Sequence, residues 1–206
     1  MKKKIFKYLY TEISPAKRGG YTIIETMIAI SLFLVVAVSG MGAVLNANLL
    51  HLKSQDIRSI MDNFSFIMED ISRTLRNGYD YQCFAAGQSL APGTLGAPRS
   101  CASGWALALE TGEGNPNTFT DQWVYYISTE GKIMRSTDGA SSFIQLSPNE
   151  VVVASVSGFS VLGAESPSLN TQQPFVTIRL SGTITTRGVI TPFTLQTSVS
   201  QRMVDI

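Results

Sequence analysis

Between Thr26 and Leu45 the chain runs for twenty residues without one ionisable side chain, and the carboxylate of Glu25 stands directly before them. Leu32, Phe33, Leu34, Val35, Val36 and Val38 form the centre of that run. Coiled at 1.5 Å per residue, Tyr21–Leu45 would reach roughly 37 Å, enough to cross a hydrocarbon core of about 30 Å. A backbone surrounded by lipid must satisfy its own hydrogen bonds, so this stretch is expected to be a helix whatever the rest of the chain does. The charges around it orient it. Lys2, Lys3, Lys4, Lys7, Lys17 and Arg18 precede the run against Glu12 alone, which by the positive-inside rule keeps residues 1–20 in the cytoplasm. Of sixteen basic and fifteen acidic groups, residues 21–206 then hold ten and fourteen. An acidic remainder argues against a nucleic-acid footprint.

The junction between leader and apolar run is equally restrictive. A carboxylate at membrane depth costs about 2.5–3.5 kcal/mol on insertion scales, so it calls for a partner or a function. The segment Gly20-Tyr21-Thr22-Ile23-Ile24-Glu25-Thr26-Met27-Ile28-Ala29 resembles the cleavage and methylation signature of type IV pilins and type II secretion pseudopilins. That resemblance implies a basic leader, residues 1–20, removed after Gly20 by a prepilin peptidase, with N-methylation of the new terminal residue, Tyr21. The family usually has Phe there. It also implies that Glu25, at the fifth mature position, meets the liberated amine of a neighbouring subunit and so sets the register in a filament. The implied partners are the peptidase, other pilin or pseudopilin subunits and an inner-membrane assembly platform. The implied location is a single-pass inner-membrane protein with its C-terminal domain outside, later drawn into a filament. Two plainer readings compete: Glu25 snorkels to water at the interface, or residues 21–45 are an ordinary signal anchor. A cleaved secretory signal fits less well, because no small-x-small site follows the apolar run.

Gly40 and Gly42 lie where the run loosens. Each costs nearly 1 kcal/mol relative to Ala in a helix, so they mark a weak point. Gly42 occupies the position where major pilins often carry Pro, which implies a bend or local melting on packing; a small-residue face for helix contact is the alternative. From Asn46 to Asn77 the pattern becomes amphipathic: Ile57, Ile60, Phe64, Ile67, Ile71 and Leu75 recur at helical spacing, with Met61 and Met68 flanking, and Asn77-Gly78 ends the helix.

Residues 78–121, rich in Gly, Pro, Ser and Ala, read as an irregular region. They hold the only two cysteines, Cys83 and Cys101, and an oxidising space outside the membrane favours a disulfide between them over free thiols. Their spacing matches no zinc pattern. Oxygen ligands crowd residues 113–121, and some pseudopilins hold calcium in such loops, but the ordered carboxylate spacing of a calcium loop is missing, so a solvated loop without cofactor or metal is expected. Beyond Asp121 the period shifts towards two. Strands are expected at Trp123–Ser128, Lys132–Ser136, Ser142–Leu146, Val151–Leu162, Phe175–Thr185 and Val189–Arg202, with Pro192 placing the last at an edge or bulge. The fold class is therefore α+β: a long N-terminal helix, anchor followed by amphipathic half, packed on an antiparallel sheet formed within residues 78–206. It agrees with the pilin fold that the N-terminus implies. The helix end Asp70–Asn77, the Val151–Leu162 strand and the closing run Gln196–Arg202 are similar to J-type pseudopilins and W-type minor pilins, which implies a minor subunit.

No Gly-x-Ser-x-Gly elbow, Walker loop, His-Glu-x-x-His helix or Cys-x-x-Cys pair occurs, and the single His51 follows the apolar run directly, so no enzyme activity is expected. From a different functional class, the alternative is a membrane-anchored extracytoplasmic binding domain that never polymerises.

Overall fold

The computed structural model describes residues 19–115, 117–156, 158–165 and 172–202; the cationic leader residues Lys2 to Arg18 and Pro116 of the acidic stretch lie outside the described residues. One helix, α1, covers Ile23–Asn77. The chain divides into two compact units, residues 1–49 and 50–206.

In the first unit every described residue is exposed or nearly so, and none is buried. Val35, Val36 and Val38 are poor helix formers in water, but an apolar solvent leaves the backbone no other partner. The polar side chains of the run are satisfied within the helix. Thr26 Oγ1 donates to the Ile23 carbonyl, Ser31 Oγ to that of Ile28 and Ser39 Oγ to that of Val35, each at 2.8 Å. This helix is apolar and long enough to cross a membrane.

In the second unit the helix buries Ile60, Phe64, Met68, Ile71 and Leu75. Met68 thus joins the buried stripe, while Ile57 and Ile67 are only half-buried on its flank, a small rotation of the expected face. At the C-terminus the Leu75 carbonyl accepts the Gly78 N–H at 3.3 Å, and the Tyr81 hydroxyl donates to the carbonyls of Leu75 and Gly78, the latter at 3.1 Å, tying the helix end to β1. A Cβ at Gly78 would collide with Leu109 and lie 2.8 Å from the Glu110 carbonyl, so glycine is required there by close approach.

Nine strands among the described residues, all paired antiparallel, form one curled sheet: β1 Tyr79–Ala85, β2 Cys101–Glu110, β3 Trp123–Ile127, β4 Ile133–Ser136, β5 Ile144–Gln145, β6 Val151–Val153, β7 Gly158–Leu162, β8 Phe175–Thr186 and β9 Val189–Ser200. Their order is β5-β4-β3-β2-β7-β8-β6, with β1 added on β2 and β9 on β8. The α+β class follows directly, and it is consistent with the pilin fold.

Three sequence expectations need correction. Residues 78–121 are not irregular throughout: they contain β1 and β2, and β2 is the hub of the sheet, paired with β1, β3 and β7. Ala102, Ala106 and Ala108 are weak strand formers and Gly104 weaker still. The second half of β2 is buried on both faces, which erases the alternation that reveals a strand. Leu107 and Leu109 enter the core beneath the helix, whereas Ala106 and Ala108 join a smaller cluster with Phe84, Leu95, Val124 and Ala140 on the opposite face. The second correction concerns the stretch expected as one strand, Val151–Leu162. It is two, β6 and β7, lying along the same partner β8. Val153 faces Gly182 and Gly158 faces Arg179, so five steps on one side span three on the other and the register slips by two residues. The expected strand at Ser142–Leu146 shrinks to β5.

Candidate functional site

The helix start is built from four residues. Gly19–Thr22 lie outside the helix and are exposed, with Tyr21 at 81%. Thr22 is the last residue before α1, and its Oγ1 accepts the backbone N–H of Glu25 at 3.3 Å. Thr22-Ile23-Ile24-Glu25 is thus a Thr-x-x-Glu sequence whose threonine caps the first turn, with the carboxylate at the third helical position. An acid in the first turn also complements the positive end of the helix macrodipole. The membrane cost of Glu25 masks this second role in the sequence, although Thr22 and Glu25 stand at the Thr-x-x-Glu spacing that signals it.

Two chemical consequences follow. The Gly20–Tyr21 peptide bond lies in non-helical, exposed backbone, as a proteolytic site requires. A Cβ at Gly20 would meet nothing within 4 Å, so nothing in this chain's own packing demands glycine there. Cleavage at that bond would leave a free α-amine one residue before the cap, where positive charge is disfavoured by the macrodipole unless an acid stands near. Glu25 is that acid. Gly40 and Gly42 lie within continuous helix, and a Cβ at either would meet nothing within 4 Å.

Cys83 of β1 and Cys101 of β2 are joined by a disulfide with a Cα–Cα distance of 5.7 Å. Gly104 lies against it: a Cβ there would approach Cys83 Sγ to 2.5 Å and Cys101 Sγ to 2.8 Å. The acidic stretch after β2 is organised around Asp121, whose carboxylate accepts the Asn115 N–H at 2.9 Å and the Thr118 hydroxyl at 3.0 Å. The Asn115 bond, with that of Thr118, holds the Asp121 carboxyl below its usual range. Among the described residues no group of three His, Cys, Asp or Glu side chains is placed to hold a metal ion.

Glu110, which sequence analysis did not single out, is only 1% exposed at the end of β2. Burial, then the charge of Asp121, pushes its carboxyl up to about 7, against smaller opposing help from Gln122 and Thr111. Its folded-state pKa lies above its unfolded value, so its contribution to stability is full below about 4.5 and is lost as pH rises through about 7. Glu110→Gln is expected to raise stability at pH 8 by roughly 1–3 kcal/mol. It should also flatten the decline between pH 5 and 8, read from urea midpoints across that range. An unchanged pH profile would show that Glu110 titrates normally.

Comparison with protein-family models, with characterised proteins and with solved structures finds no match. The functional reading therefore rests on the residues themselves.

Proposed function

We propose that this chain is a minor pilin or pseudopilin subunit, cut after Gly20 and assembled through its N-terminal helix into a short filament that carries the β-rich domain outward. The single observation that carries this reading is the order of parts at the N-terminus. An exposed Gly-Tyr bond, a threonine cap, one carboxylate at the third helical position and an uncharged helical run follow each other without a spare residue. A simple anchor needs only the last of these. A filament subunit needs the amine that cleavage releases and an acid that can receive it. The work is mechanical, either priming or capping a filament or presenting a surface, and residue chemistry supports no catalytic role.

Mass spectrometry of the protein purified from cells with an active prepilin peptidase is the direct test. The mature chain should begin at Tyr21 and carry one N-terminal methyl group, while Gly20→Leu should leave the leader attached. Recovery of an intact Met1 terminus from such cells rejects the reading in favour of an anchored domain that never polymerises.

A further inference from the structure

Among the described residues Glu110 is the one acidic side chain that the fold takes wholly out of water. It ends β2, is walled by β1 and by the buried Gln122, and lies beneath the turn that follows it. Gly114 N–H donates to the Thr111 carbonyl at 2.9 Å, which closes residues 111–114 on themselves. Gly112 and Glu113 at the crest are exposed, while Glu110 below them is 1% exposed. The cover is backbone laid directly on carboxylate. A Cβ at Gly114 would overlap Glu110 Oε1, and one at Gly112 would stand 2.9 Å from the Asn77 carbonyl at the helix end. The turn therefore roofs the seam where α1 ends, β1 begins and β2 ends.

Beneath that roof the charges are of one sign. Neither oxygen of Glu110 completes a hydrogen bond of good geometry, and the nearby Gln122 side chain and Thr111 backbone favour its anion only slightly. Tyr79 and Asp80 face it from β1, and Asp121 faces it from the residues leading into β3. Asp121 is held below its usual range by Asn115 and Thr118, so it is charged wherever Glu110 titrates. Burial, then Glu110 itself, pushes the Tyr79 hydroxyl up, so it stays neutral there. The helix end brings the Asn77 carbonyl, another acceptor, to the roof. A carboxylate ion shut in with further anions and without hydrogen bonds is costly, whereas a carboxylic acid in the same place is not. The ion is relieved once water reaches it, and the cover nearest to it is the turn.

We propose that the Thr111–Gly114 turn is a proton-controlled lid, closed over Glu110 while its carboxyl holds a proton and lifted when that proton passes to water. Lifting opens the seam between β2 and the helix end and leaves the sheet folded. The register of β2 with β3 begins at Leu109–Trp123, so moving residues 111–114 breaks none of it. Linkage fixes the size of the effect. Between about pH 4.5 and about 7 the closed lid holds a proton that the open one releases, so the opening constant rises by up to about tenfold per pH unit and then levels off.

The test is amide hydrogen exchange on the full chain in detergent micelles, each rate divided by the intrinsic rate at that pH. Gly114 N–H reports the lid, and Tyr125 N–H, in a strand paired on both sides, reports the core. Protection at Gly114 should fall by about tenfold or more between pH 5 and pH 7 and change little above pH 8. It should stay below that of Tyr125 throughout, and low urea should hasten Tyr125 but not Gly114, as a local opening requires. In Glu110→Gln, which puts a neutral amide where the acid stood, Gly114 should be equally protected at pH 5 and pH 7. Gly114→Ala, whose Cβ would overlap the carboxyl, should leave the residue-114 amide poorly protected even at pH 5. The pH series uses the unaltered protein, so the test survives if a variant folds poorly. A Gly114 amide already unprotected at pH 5, protection that ignores pH, a pH response that persists in Glu110→Gln, or exchange that tracks Tyr125 overturns the proposal. None of these readouts depends on cleavage at Gly20, so failure here and failure of the filament reading are separable.

Discussion

Glu25→Gln is expected, on the filament-subunit reading proposed above, to leave the chain inserted and helical but to cut its incorporation into filaments by about tenfold or more. The substitution isolates one property. Glutamine can take the third position of a Thr-capped turn as glutamate does. A neutral amide also enters a membrane more easily than a carboxylate, so neither the helix start nor insertion should suffer. What disappears is the negative charge that would meet a neighbour's liberated amine. Glu25→Ala removes the charge and also the complement to the helix dipole, worth about 0.3–1 kcal/mol, so it is the less discriminating variant. The measurement is the fraction of subunit recovered in sheared filaments relative to that in membranes. Equal incorporation of the Gln variant and the unaltered chain would show that the amine pairing is wrong, and the assembly mechanism would go with it.

Phe64→Ala is expected to destabilise the β-rich domain by about 3–5 kcal/mol, because its ring is 1% exposed and carried by the helix into the core against Phe193. A domain of this size has a total stability of about 5–15 kcal/mol, so that loss would bring it close to unfolding. Two positions along, Phe66 is 75% exposed, and Phe66→Ala should change stability by no more than about 0.5 kcal/mol. The pair of urea midpoints measured on the full chain in detergent checks both. A small effect at Phe64 would mean that the helix does not carry the core described here.

Helical spacing alone distinguishes those two phenylalanines, and this is where sequence analysis was strongest. Ile57, Ile60, Phe64, Ile67, Ile71 and Leu75 repeat at three and four, so the helix could be drawn with its buried face, to within a small rotation, before any coordinates. The hairpin at Arg187-Gly188 was legible for a similar reason: β8 and β9 have one wet face each, and alternation survives wherever one side meets water. The helix start was legible in part. The apolar run and its single acid stood out, but the cap at Thr22 became plain only when its hydroxyl was seen on the Glu25 amide.

The chain's local chemistry by itself determined the long apolar helix, its amphipathic continuation and the last two strands, because each follows from periodicity or from the absence of charge over a short span. Only the tertiary structure decided that β2 is the centre of the sheet and that Glu110 is buried. Those are consequences of contacts between distant parts of the chain. The second half of β2 is buried on both faces and so lacks any period, and Glu110 is desolvated by strands and loops remote from it in sequence.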